Sequence, residues 1–150
     1  MKIFVDTNVL VSARDPKAGS KQTIAAKWLA KLDRAGAGAL AAQSLREYYS
    51  VITRPRFGIS RAEAREDITD LLAWVSDPAR SDDLAGAWAI QDRYKLSFID
   101  CLLLAAAQAS ACEVFLSEDM HHGMDVDGVI ILNPFLPAAE PIFDAIGGAP

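Results

Sequence analysis

The sequence has few cysteines and no long apolar run. Only Cys101 and Cys112 occur in 150 residues; they form no CxxC pair and are expected to be free core thiols of a reducing compartment. No stretch reaches the roughly 18 uninterrupted apolar residues of a membrane span. The apolar run that follows Lys2 stops at Asp6, which is unlike a signal peptide. We therefore expect a cytoplasmic protein with no membrane partner.

An excess of basic residues is also missing. The chain has 15 Lys and Arg against 20 Asp and Glu, a formal net charge of -5. This balance is unexpected for a protein that binds a polyanion, because affinity for phosphate normally comes from Lys and Arg. Two explanations stay open. Either the substrate is not a polyanion, or the acids cluster around a bound metal ion that inverts the local field.

The apolar content is sufficient for one folded domain. Hydrophobic residues make up 51% of the 150 residues, which suits a single domain over residues 1–150. Short apolar runs alternate with helical patterns, and this predicts an α/β fold whose small parallel sheet of four or five strands is covered on both faces. The expected strands are 3–5, 39–42, 114–116 and 129–132. The tail, about 136–150, is expected to be irregular or loosely docked.

Helices are expected between these strands. Thr7 and Asn8 are predicted to cap the first, and Ser44 to begin the third. A capping box at 60–63 opens the fourth, the dipeptide Asp77-Pro78 breaks the chain, and Asp82 or Asp83 caps the fifth. The expected ranges are 9–13, 21–35, 44–53, 60–75, a segment ending at Tyr94, and 97–111.

Four acids fall where a ligand site is expected in such a fold. Asp6 directly follows the first strand, and Asp119 follows the strand that ends at Leu116. Glu47 and Asp100 lie in the first turns of two predicted helices. Helix starts and the carboxyl ends of parallel strands share one edge of the sheet, and ligands bind there. The four side chains are therefore predicted to converge.

Clustered carboxylates repel one another and need a counter-charge. Mg²⁺ or Mn²⁺ prefers oxygen ligands and can activate water for phosphodiester hydrolysis. Each acid taken singly also has a structural explanation. Asp100 suits a helix N-terminus, Glu47 fits a capping box with Ser44, and Asp6 and Asp119 suit turns. The joint placement at one edge favours the metal site.

Four segments around these acids resemble the motifs of PIN-domain nucleases, in order along the chain. They read IFVDTNVL at 3–10, LREYYSVITR at 45–54, LSFIDCLLLAAA at 96–107 and LSEDM at 116–120. Gly123 and residues 129–135 are similar to the closing strand of the toxin-type members, the VapC-like ribonucleases of toxin–antitoxin pairs.

The resemblance implies a three-layer α/β/α fold and Mg²⁺- or Mn²⁺-dependent endoribonuclease activity. It also implies a homodimer and neutralisation by a small antitoxin protein. By motif position, the catalytic and metal-binding acids are Asp6, Glu47, Asp100 and Asp119. Asn8 and Ser117 match polar positions that support the acids by hydrogen bonds. Glu118 either shares metal binding with Asp119 or points away from it.

Other residues have two interpretations. Arg46, Arg54 and Lys17 are candidate RNA contacts, or else solvated surface cations. His121 and His122 are expected to be loop histidines rather than zinc ligands.

Two other functions compete with the nuclease. One is a non-catalytic PIN-like interaction module. The other is an aspartyl-nucleophile phosphatase, which needs an acid two residues after Asp6, where this chain has Asn8.

Overall fold

The computed structural model describes residues 1–75 and 83–148, which form a sheet with helices on both faces. The five strands are β1 Ile3–Val5, β2 Gly38–Ala39, β3 Val114–Leu116, β4 Asp125–Val126 and β5 Val129–Leu132. The helices are α1 Thr7–Arg14, α2 Ser20–Ala35, α3 Ala42–Ile52, α4 Arg61–Leu71, α5 Leu84–Tyr94, α6 Phe98–Ala109 and α7 Glu140–Ala145. The predicted break at Asp77-Pro78 and the predicted cap at Asp82 lie outside the described residues.

The sheet has the order β2-β1-β3-β5-β4. β1 pairs in parallel with β2 and β3, β3 pairs in parallel with β5, and β4 is antiparallel to β5. Val5 lies beside Leu116, so the two central strands end at the same level. This register brings the residues that follow β1 and β3 to one edge.

The central strands are buried on both faces. Ile3 and Val5 belong to a core with α1, α2, α3 and α4, whereas Phe4 belongs to a second core with α5 and α6. Phe4 stacks on Phe115 of β3, with ring centroids 5.2 Å apart. These two cores on opposite faces confirm the predicted α/β/α layers and the small, mostly parallel sheet.

The starts of α1 and α3 differ from the prediction. Asp6 itself caps α1, so Thr7 and Asn8 lie inside the helix. Helix α3 begins at Ala42, within the predicted second strand, and the expected capping box of Ser44 with Glu47 is therefore wrong. Ser44 is instead buried in the helix, and its hydroxyl has no hydrogen-bond partner among the described residues. The predicted caps at Ser60 and Asp83 are confirmed.

The tail is more ordered than the sequence predicted. A 3-10 turn at Pro137–Ala139 leads into α7. The Phe143 ring lies edge-on to Trp28, with centroids 5.0 Å apart. Both cysteines are free and buried, as expected. In the part of the chain that is described, no helix has the length and apolarity needed to cross a bilayer.

Candidate active site

Asp6 is a buried carboxylate at the junction of β1 and α1. Its Oδ1 accepts a hydrogen bond of 2.8 Å from the Thr7 backbone N–H and caps the helix. Its Oδ2 accepts hydrogen bonds from the Ser117 hydroxyl at 2.8 Å and the Asn8 amide at 3.2 Å. Only 8% of Asp6 is exposed. These contacts fix its position at the carboxyl end of β1.

Asn8 connects the ends of the two central strands. Its Nδ2 lies 3.2 Å from Asp119 Oδ2 as well as from Asp6 Oδ2. Its Oδ1 accepts a hydrogen bond from the Glu118 backbone N–H at 3.2 Å. The one amide therefore contacts both carboxylates and orients the loop between them.

Ser117 provides a second connection between Asp6 and the turn that carries Asp119. The residue is fully buried after β3. Its hydroxyl donates to Asp6 and accepts hydrogen bonds from the backbone N–H groups of Asp119 and Met120, each at 3.3 Å. Ser117 therefore fixes the turn that presents Asp119.

Glu47 approaches from α3. Its Oε2 accepts a hydrogen bond of 3.1 Å from the Thr7 hydroxyl, and its Oε1 accepts one of 2.9 Å from the Gln43 amide. Since Thr7 is the residue after Asp6, Glu47 lies beside the start of α1. No local pattern in the sequence indicates this role for Thr7, because the contact joins residues 40 positions apart.

Asp100 lies in the first turn of α6. The Ser97 hydroxyl caps this helix by accepting a hydrogen bond of 3.2 Å from the Asp100 N–H. The carboxylate of Asp100 is near enough to Asp6 for its charge to disfavour ionisation of Asp6. All four predicted acids therefore lie around the same edge of the sheet.

This placement changes the proton affinity of the site. The pKa of Asp6 is raised from 3.8 to about 6, chiefly by burial, and the charges of Asp100 and Asp119 act in the same direction. The hydrogen bonds from Ser117 and Thr7 oppose the shift but are outweighed. A cation in the crevice would relieve both the burial cost and the repulsion.

The donor chemistry fits a hard divalent cation. Every candidate ligand is a carboxylate oxygen, which Mg²⁺ and Mn²⁺ prefer. Within residues 1–75 and 83–148, no three Asp, Glu, His or Cys side chains lie close enough together to enclose an ion. Water and substrate phosphate would have to complete the coordination, as is usual for Mg²⁺.

Comparison with known proteins identifies a family. The sequence profile of the PIN domain matches residues 3–122 of the 150. The chain belongs to the PIN domain family. PIN domains are a family of metal-dependent nucleases that act on nucleic acid. A search of curated proteins finds no match.

The PIN match begins at β1 and ends shortly after β3. It therefore includes Asp6, Glu47, Asp100 and Asp119, but not β4, β5 or the tail.

Two hydrogen bonds argue against the phosphatase and zinc-site alternatives. Asn8 donates to Asp6 and offers no acid at the position that a phosphatase needs. Also, His122 Nδ1 accepts a hydrogen bond from the Asn133 N–H at 3.0 Å, a structural role.

The candidate RNA contacts are all exposed side chains. Arg46 is exposed and borders a cavity between α3 and α4, and Arg54 is exposed before the 3-10 turn at Pro55–Phe57. Lys17 is exposed in the loop between α1 and α2, close to Asp15. As far as the chain is described, none of the three hydrogen-bonds to a predicted acid.

A different lysine reaches the site. The Lys21 ammonium forms an ion pair with the Glu118 carboxylate, at the residue before Asp119. Its partner lies 97 positions away in the sequence and could not be identified from local patterns.

Proposed function

We propose that the protein is an endoribonuclease that hydrolyses RNA phosphodiester bonds with Mg²⁺ or Mn²⁺ as its cofactor. The supporting observation is the hydrogen-bonded group of Asp6, Asn8, Ser117 and Asp119 at the carboxyl ends of β1 and β3. Its carboxylate oxygens and their mutual repulsion suit a hard cation. The PIN domain family supplies the reaction class.

Each residue has a distinct proposed role. Asp6, Asp119, Asp100 and Glu47 supply the negative charge that attracts the cation, water and substrate phosphate complete its coordination, and Asn8 and Ser117 orient the first two acids. When bound, the divalent ion polarises the phosphate and makes water a better nucleophile. Thr7 holds Glu47 at the start of α1, on the α3 side of the crevice. Hydrolysis by water needs no covalent enzyme intermediate.

The biological setting that we propose is a cytoplasmic toxin–antitoxin pair. The support is the likeness of residues 129–135, in β5 and after it, to VapC-like toxins. In this setting a small antitoxin protein blocks the nuclease, and the active form is a homodimer. A short neighbouring reading frame that encodes a partner able to abolish cleavage in the purified mixture would support the pairing. A partner that binds without reducing cleavage would contradict it.

Cleavage of labelled RNA tests the activity. We expect wild-type protein to cut single-stranded RNA with Mn²⁺ or Mg²⁺ and to stop when EDTA is added. Asp6→Asn should lower the rate at least about 100-fold, because the buried position loses its anionic ligand. Asp92→Asn removes an exposed carboxylate from α5 and should leave the rate unchanged. Equal metal-dependent cleavage by Asp6→Asn and wild type would contradict the proposed site.

A further inference from the structure

We propose that the face of α2 beside the tail is the path of the substrate strand, with Phe135 as a base-stacking surface and Lys21 and Lys27 as phosphate contacts. The occupant is single-stranded RNA, so the proposal rests on the proposed function and extends it to substrate binding. The cavity on this face is lined by none of the four acids, and it includes tail residues outside the matched range 3–122.

The path begins at the catalytic edge. Lys21 is in the first turn of α2, and its ammonium contacts Glu118, whose backbone N–H is held by Asn8. The same ammonium lies 5.5 Å from the centroid of the Phe135 ring. A cation and an aromatic ring thus adjoin each other at the rim of the acidic crevice.

An aromatic cavity continues from this point. It has a volume of about 380 Å³ and is lined by side chains that include Ile24, Trp28, Phe135 and Phe143. Phe135 is half-buried and forms one wall. Aromatic rings beside a basic groove bind single-stranded nucleic acid in many proteins, because every base has a face that can stack.

The charge of α2 is opposite to that of the whole chain. Its sequence SKQTIAAKWLAKLDRA has three lysines and one arginine against a single aspartate, whereas the chain as a whole has a net charge of -5. Lys27 is exposed on the cavity rim. Lys31 lies at the other end, where its ammonium donates a hydrogen bond of 2.6 Å to the Phe143 carbonyl and lies 4.3 Å from the centroid of the Phe143 ring. One acid, Glu140, also borders the cavity and is exposed.

The spacing of these lysines suits a short strand. At 1.5 Å per helical residue, Lys21 and Lys27 are about 9 Å apart along α2. This is the length of roughly three stacked nucleotides. The lysines would follow the phosphates away from the acidic crevice, which explains how a net-acidic protein attracts a polyanion.

Binding measured without hydrolysis tests the path. Fluorescence anisotropy would use labelled single-stranded RNA of roughly 12 nucleotides in EDTA. Phe135→Leu keeps an apolar side chain but removes the ring, and it should weaken binding at least about fivefold. Phe135→Tyr keeps the ring and should retain binding.

Charge variants provide a matched pair. Lys27→Glu should weaken binding and should lower the slope of log affinity against log salt by about 1. Arg61→Glu makes the same change of charge at an exposed residue at the start of α4 and should change neither value. Equal effects of Lys27→Glu and Arg61→Glu would overturn the path.

The failure of this inference can be told apart from failure of the proposed function. Wild-type protein that cleaves RNA, with an affinity unchanged by Phe135→Leu and Lys27→Glu, would overturn the path alone. Wild-type protein that neither binds nor cleaves RNA would overturn both proposals.

Discussion

Asp6 links the fold to the chemistry, because one buried carboxylate both caps α1 and faces two other acids. In the metal-free protein its pKa is about 6, against 3.8 in an ordinary environment. The folded state therefore binds a proton more tightly than the unfolded chain does. The resulting stabilisation is complete below about pH 4 and is lost as the pH rises through 6. From this pKa shift alone, the free energy of unfolding falls by about 3 kcal/mol as the pH rises through this range.

Asp6→Asn should therefore stabilise the metal-free protein at neutral pH. We expect its free energy of unfolding in EDTA to exceed that of wild type by up to about 3 kcal/mol at pH 7. Near pH 4 the difference should be small. The gain is reduced because an amide meets the Asn8 and Ser117 donors less well than a carboxylate does. Urea unfolding at both pH values measures the effect, with Asp92→Asn as control. An equal difference at both pH values would contradict the buried-charge explanation.

At the scale of elements, a second polar cluster holds the helices that carry the acids. Arg14, at the end of α1, donates to both oxygens of Asp67 on α4, at 2.6 and 2.8 Å. The Tyr48 hydroxyl, on α3, donates to the same carboxylate at 2.7 Å. Burial raises the pKa of Asp67, but these hydrogen bonds outweigh it and the net pKa is lowered. Helix α4 thus connects the helix of Asp6 to the helix of Glu47.

Asp67→Asn should weaken this connection. We expect the free energy of unfolding at pH 7 to fall by about 1–3 kcal/mol, toward the lower value because Arg14 is partly exposed. Since the folded pKa is lowered, the stabilisation is present above the ordinary pKa and is lost as the pH falls through the folded value. The difference in the free energy of unfolding between wild type and Asp67→Asn should therefore become smaller as the pH falls. Denaturant titrations from pH 3 to 7 measure it, with Asp70→Asn, a neighbouring surface carboxylate, as control. A gap that widens in acid would contradict the assignment.

Elements with a strong local signal were predictable. The runs at 3–5 and 114–116 are apolar at every position because these strands are buried on both faces. Other elements gave no such signal. Strand β4 has only two residues, Asp125–Val126, which is too short to show alternation. Helix α3 begins after Ala41 without a side-chain cap, so nothing in the sequence marked its start.

At the scale of the whole molecule, the common edge at which Asp6 and Asp119 follow their strands was predictable, and the side-chain connections around it were not. Topology alone brings strand ends and helix starts to one edge. The hydrogen bond from Thr7 to Glu47 and the ion pair of Lys21 with Glu118 depend instead on how α2 and α3 pack beside the sheet. The order of α7 likewise depends on distant packing against Trp28.

The proposed activity depends on a divalent cation held by these acids at the edge of the sheet. A crystal soaked in Mn²⁺, with diffraction data collected to reveal anomalous scattering, tests it most directly. We predict a manganese peak between the carboxylates of Asp6 and Asp119, and no peak there in Asp6→Asn crystals. A wild-type crystal with manganese bound only elsewhere, or with no manganese at all at a saturating concentration, would contradict the account.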